Sequence, residues 1–219
     1  MAAEGVLLVW LAPEEGSLPA FRTWHHGGGF VSTIPGVTGY SALSAQDEVE
    51  EHTPYRFQIA YFVDDVQAIT SNIYDNAMAT KPNCVKSADW HLYRSLLIEG
   101  VKTMPSGSVC VQVGQTPGDD PGVLQDFDQW FRKEHLPMLT KVPGWRAGRR
   151  MEFVNHVGGV QREYAAPFIA NHRYLPENGL NGPEWQESVH TEWTAKVRGY
   201  MIKPNHRRIW TIEKEVLLE

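Results

Sequence analysis

Short apolar runs alternate along the chain with stretches whose apolar residues recur every three or four positions. The runs at 5–12 (GVLLVWLA) and 108–114 (SVCVQVG) are short and aliphatic, and each predicts a β-strand. Behind each comes helical spacing: Leu18, Phe21 and Trp24 in the first half, Leu124, Phe127 and Trp130 in the second. The two triplets are related by one constant offset of 106. Pro35-Gly36 matches Pro143-Gly144 at an offset of 108, so the first copy is two residues shorter.

The flanks repeat as well. Runs at 56–63 (RFQIAYFV) and 167–175 (PFIANHRYL) predict a further strand in each half. Helical stretches follow at 64–79 and about 184–200, and strands at 90–99 and 206–217 close the halves. Both halves therefore read β-α-β-β-α-β, an α+β chain of two ferredoxin-like repeats. The first is expected over 1–104 and the second over 105–219, meeting near the turn MPSG at 104–107. Helices cover one face of such a sheet, and the other face needs a partner sheet. Two copies in one chain supply it internally.

The repeat clarifies the run WHHGGGF at 24–30. His-Gly-Gly-Gly resembles the oxyanion loop of lipases, but such enzymes carry a G-x-S-x-G elbow, and the nearest candidate here, PSGSVCV at 105–111, lacks its second glycine. A metal reading is no stronger. Adjacent helical residues point about 100° apart, and no carboxylate or thiolate lies within the next turn. The other histidines (52, 91, 135, 156, 172, 190 and 206) show no ligand spacing, so no metal is expected. Counting from either end of the repeat puts Gly27 or Gly29 opposite His135. Three consecutive glycines cost a helix roughly 2–3 kcal/mol relative to alanine, so the first helix should break here. The run reads as the degenerate copy of a site retained in the second half, with a loop or pocket opening in its place.

Composition narrows the function. Net charge is −6, the sequence pI is about 5.8, and the basic residues are scattered, which gives no footprint for nucleic acid. No apolar run reaches the ~18–20 residues that span a bilayer, and the apolar N-terminal segment lacks a basic leader region. With only Cys84 and Cys110, no disulfide framework or zinc pattern is implied, and a reducing, cytoplasmic setting is expected. Eight Trp, eight Tyr and eight Phe suit a hydrophobic pocket.

The segment DQWFRKEHLPMLTKVPGW (128–145) resembles the W-[YF]-x-x-E-H-x-P helix of the EthD-like branch of the dimeric α+β-barrel superfamily. PFIANHRY and NGLNGPEWQESVHTEWTAKV are similar to that branch's third strand and second helix. The second half matches over most of its length and the first only in outline. The resemblance implies an intrachain barrel of the tandem, mostly fungal type, with ties to secondary metabolism. Its relatives include cofactor-independent cyclases, dehydratases, isomerases and oxygenases, beside haem-degrading and haem-peroxidase branches. It also implies that His135 faces the pocket.

By the residues alone, His135 precedes Leu136-Pro137, where the helix should bend or stop, so its ring is either a base in a cavity or a helix-end histidine favouring the dipole. Strand alternation puts Phe168, Ala170, His172 and Tyr174 on one face, with His172 a second polar group or a satisfied core histidine. Arg149 shares a face with Met151 and Phe153, as a buried cation for an oxyanion or a snorkelling surface residue. Trp130, Phe131, Glu134, Tyr174, His190 and Trp193 are candidate substrate contacts, as are Tyr61, which takes the place of His172 in the first half, and His26, which takes that of Glu134 on the backward count. Glu134 points away from His135 and is suited to hold an arginine or a strand hydroxyl.

The expected function is a cofactor-free cyclase, dehydratase or other lyase or isomerase. His135 transfers a proton, while His172 and Arg149 orient a hydrophobic or aromatic, polyketide-like small molecule. The rivals are an oxygenase or haem-binding barrel, with His135 or His172 as axial ligand, and a non-catalytic small-molecule-binding or stress-response barrel. No membrane or nucleic-acid partner is expected, and a homodimer of the tandem chain is an option.

Overall fold

The computed structural model describes residues 3–48, 54–160 and 165–218, so His52 lies outside the described residues. The first half runs β1 (Gly5–Pro13), α1 (Leu18–His26), β2 (Val37–Ala45), β3 (Phe57–Val63), α2 (Ser71–Ala79) and β4 (Val85–Gly100). The second runs β5 (Val109–Pro117), α3 (Pro121–Trp130), a π-helical turn (Phe131–His135), α4 (Leu136–Leu139), β6 (Trp145–Gly158), β7 (Phe168–Tyr174), α5 (Pro183–Val189), α6 (Glu192–Arg198) and β8 (Met201–Leu217). The β-α-β-β-α-β order is present twice. The stretch expected as a helix at 64–79 begins with a 3-10 turn at Val66–Ala68, and that at 184–200 is two helices parted at His190–Thr191.

The eight strands among the described residues close into one antiparallel barrel, in the order β1-β3-β2-β8-β5-β7-β6-β4. Each half contributes four adjacent strands, β4-β1-β3-β2 and β8-β5-β7-β6. The halves are sewn together where β2 pairs β8 and β4 pairs β6. Closure removes every free strand edge. The long closing strands, 16 residues in β4 and 17 in β8, make these seams and start earlier than the apolar runs suggested. In β4 the buried Val85 is followed by Lys86 and Ser87, and in β8 the residues after Met201 are exposed, so neither start continues an apolar run.

Alternation divides the side chains between two cores. From β1, Val6, Leu8 and Trp10 point into the barrel with Tyr93, Met151, Trp210 and Ile212. Leu7, Val9 and Leu11 point outward, beneath α1 and α2, beside Phe21, Ile59 and Trp90. Both faces of β1 are buried, which is why its sequence reads as a continuous apolar run. In the second half the outward faces meet α3–α6 in two smaller clusters, around Phe127 and Trp130 and around Val111 and Tyr174.

Candidate active site

The cavity lies between the outer face of the second-half sheet and its helices. Asp120 caps α3 by accepting hydrogen bonds from the amides of Gly122 and Val123, and Pro121 fills the first helical position, where no amide is needed. Phe127 and Trp130 are the inward stripe of this helix, 0% and 3% exposed. The helix does not stop before Pro137. Pro137 has no N–H to give the carbonyl four residues back, and a π-helical turn over Phe131–His135 absorbs the defect, with the Leu136 amide bonded to the Phe131 carbonyl. His135 therefore stands inside a continuing helix, at its widened turn.

There the His135 ring stacks on Trp130, centroids 4.3 Å apart, and meets the His172 ring edge to face at 6.0 Å. Nδ1 of His135 makes a long 3.4 Å hydrogen bond to the Ser188 carbonyl. A carbonyl only accepts, so Nδ1 carries the proton and Nε2 keeps its lone pair. His172, from β7, is 3% exposed, and neither of its ring nitrogens has a hydrogen-bond partner. Burial pushes the His135 pKa down to about 4, although the Ser188 bond works against it. Burial, reinforced by His135, pushes that of His172 down to about 3. Both imidazoles are neutral at pH 7.

The cavity around them holds about 290 Å³. Val111, Val113, Leu139, Val197 and Met201 form an apolar wall, while Gln115, Tyr174 and Thr194 add polar groups. Arg198, Arg207, Asn205 and His190 line its exposed mouth, and the Arg207 guanidinium lies 5.7 Å from the centre of the Trp185 ring.

Of the residues singled out by sequence, His135, His172, Trp130, Tyr174 and His190 line this cavity. Trp130 also donates its indole N–H to Thr194. Phe131 sits behind His172, its ring 6.0 Å away and roughly parallel, and so supports the imidazole without lining the space. Glu134 accepts a hydrogen bond from the Thr191 hydroxyl at 2.6 Å, and pins the break between α5 and α6. Trp193 is turned toward Asp126.

Arg149 is corrected most sharply. Its face, shared with Met151, is the barrel interior, where the guanidinium lies 4.7 Å from the centre of the Phe62 ring. Arg150 points to the helix side, but is bound to Asp128 at 2.9 Å and enclosed by Phe127, Phe131 and Phe168. The cations at the cavity are instead Arg198 and Arg207. Alternation along 206–217 puts Arg207 with Ile209 on the face opposite Arg208 and Trp210, so it was within reach of sequence reasoning. Gln115 was missed because its strand was ended one residue early.

In the first half α1 stops at His26, and Gly28 and Gly29 adopt φ of +91° and +57°. The break was expected, and of the loop or pocket opening expected in its place the structure has the loop. A side chain at Gly29 would stand 2.6 Å from Ile59 Cδ1 and 2.9 Å from the Tyr61 hydroxyl. Tyr61, 0% exposed, donates to the Gly28 carbonyl and accepts from the Phe30 amide, both at 2.8 Å. It locks the glycine turn. His26 is bound to Glu213 at 2.7 Å, on the first-half side and away from the His135 cavity.

No protein-family model matches the chain, and no curated protein sequence matches it. Solved structures do. An anthrone oxidase-like protein superposes with a TM-score of 0.64 at 9% identity, over 99% of this chain and 94% of the other. A monooxygenase candidate from Fusobacterium nucleatum subsp. nucleatum gives 0.63 at 8%, over 99% and 95%. A chlorite dismutase variant from Candidatus Nitrospira defluvii gives 0.59 at 8%, over 96% and 91%. No helix among the described residues is long and apolar enough to cross a membrane. At these identities the likeness is one of architecture, and the chain has the dimeric α+β-barrel fold, built within a single polypeptide.

Proposed function

We propose that the chain is a cofactor-independent oxygenase that takes a proton from a planar, apolar, oxygenated small molecule bound in the second-half cavity. The observation that carries this reading is His172, a neutral imidazole buried with both nitrogens unpartnered, its ring 6.0 Å from that of His135. Leaving such a group unsatisfied costs roughly 1–3 kcal/mol, a cost that a substrate oxygen bonded there would offset. His135 Nε2 accepts the proton of a C–H made acidic by an adjacent carbonyl, and the His172 N–H holds the enolate oxygen. The carbanion reduces O₂, and loss of water from the resulting peroxide converts CH₂ and O₂ to C=O and H₂O. Arg198 and Arg207 at the mouth suit a substrate with an acidic or phenolic end.

The names of the oxidase-like and monooxygenase neighbours favour the O₂ step over a lyase or isomerase outcome, by analogy of fold. The same proton transfer without O₂ is the cyclase or dehydratase reading. The EthD-like assignment, a role in secondary metabolism, and a second repeat (105–219) that carries the chemistry beside a degenerate first (1–104) belong to this proposal. Haem fits poorly. An unpartnered imidazole suits an axial ligand, but about 290 Å³ is the low end for a drug-sized molecule and well short of a porphyrin.

The test is a panel of planar enolisable phenolic ketones, followed by O₂ uptake and by C–H exchange in D₂O. Uptake that falls at least ~100-fold in His172→Leu is expected. Exchange without uptake would support the lyase or isomerase reading. Binding with neither would overturn catalysis.

A further inference from the structure

The adjacent histidines of WHHGGGF have a partner that the sequence did not suggest. β8, from the other half of the chain, brings Glu213 across the end of α1. His25 Nδ1, His26 Nε2 and a Glu213 carboxylate oxygen all lie within 4.8 Å of one another. Glu213 Oε2 is 2.7 Å from His26 Nε2 and 3.7 Å from His25 Nδ1. The two imidazoles thus converge, because one presents Nδ1 and the other Nε2.

His25 makes the cluster more than a surface ion pair. It is 0% exposed, and its Nε2 lies 3.0 Å from the Gln58 carbonyl. That carbonyl can only accept, so the proton is on Nε2 and Nδ1 presents a bare lone pair. Nδ1 has no hydrogen-bond partner and faces a carboxylate oxygen, lone pair toward lone pair. A cation between them removes the repulsion. An imidazole donating its second nitrogen to a backbone carbonyl is also the arrangement that orients metal-ligating histidines. Arg22, the neighbouring cation, is half exposed and reaches the other oxygen, Oε1, at 3.8 Å, which leaves Oε2 to face the histidines.

We propose that His25, His26 and Glu213 bind a divalent first-row transition ion such as Zn²⁺. Two imidazoles and one carboxylate, with bonds of about 2.0–2.2 Å, are a ligand set for such ions. The His26–Glu213 pair would open slightly and the His25–Glu213 pair close. Three protein ligands leave a position for water, on the side where His26 is 39% exposed. The ion would clasp α1 of the first half to β8 of the second.

The whole chain, freed of metal by a chelator, is titrated calorimetrically with Zn²⁺, and with Co²⁺ to read coordination from its visible absorption. One equivalent is expected to bind, and the thermal midpoint to rise with it. His26→Ala and the near-isosteric Glu213→Gln should each weaken binding at least ~100-fold and abolish the rise of the midpoint with added metal. His172→Leu should leave binding unchanged. His156→Ala, beside the buried Asp89 and His91, should also leave it unchanged. Absence of a bound equivalent, its survival in both His26→Ala and Glu213→Gln, or its loss in His156→Ala would overturn the proposal.

Discussion

His135 and His172 meet edge to face, their ring centroids 6.0 Å apart, one from the widened turn of a helix and the other from the strand beneath it. Neither carries a charge at neutral pH, and the more deeply buried ring has no partner. In the proposed reaction the chemistry rests on these two neutral imidazoles.

The first consequence is kinetic. With the His135 pKa held near 4, the base stays deprotonated through the mildly acidic range. The acid limb of kcat/KM should fall at about pH 4, well below the ordinary histidine value near 6.5. A pH–rate profile with its limb near 6.5 would remove His135 from the role of buried base.

Stability responds within that same mildly acidic range. Both folded pKa values lie below the unfolded value of 6.5. Above pH 6.5 the rings are neutral in both states and contribute no slope. As pH falls from 6.5 toward 4 the unfolded chain binds protons that the folded chain refuses, and stability drops. The expected loss is about 1–2 kcal/mol per ring near pH 5.5, levelling below the folded values, as read from urea midpoints.

His172→Leu should separate stability from function. It replaces an unpartnered imidazole with an apolar side chain, so the midpoint should rise, most clearly near pH 5. Turnover should fall by ~10²–10⁴. A variant both less stable and fully active would mean that His172 is a packing residue.

Gly29→His tests the proposal that the first half carries no site. The position has φ +57° and no room between Ile59 and Tyr61, so the variant should lose roughly 1–3 kcal/mol. No second active site should appear. A gain in turnover with unchanged stability would show that the first half can still form a cavity.

Arg207→Ala should raise KM for an acidic substrate about 5–10-fold and leave kcat nearly intact, because the exposed guanidinium guides the substrate at the mouth without touching the histidine pair. Raising the salt should narrow the difference between variant and wild type.

Much of this protein was legible along the chain. The matched triplets Leu18, Phe21, Trp24 and Leu124, Phe127, Trp130 identify the repeat because a buried helix stripe must keep its spacing. The glycines at 27–29 predict the end of α1, since their backbone freedom is costly in a helix. Strand alternation put His172 and Tyr174 on one face, and the structure keeps them there. These are local properties, set by backbone geometry and by which side chains must leave water.

Tertiary structure decided which faces became a site. Period-two alternation separates Arg149 from Arg150 but cannot say which face is barrel interior, and the guanidinium assigned to the cavity went inside the barrel. Pro137 marks a defect in the helix, and only packing turned it into a π-helical turn that keeps His135 in place. In the first half the space beside Gly29 is taken by Ile59 and by Tyr61, whose hydroxyl satisfies the backbone of the glycine turn. Glu213 reaches His25 and His26 from 187 residues along the chain as counted from His26. Spacing carries no signal for such a contact; barrel closure makes it, because β8 must pair with β2 of the other repeat.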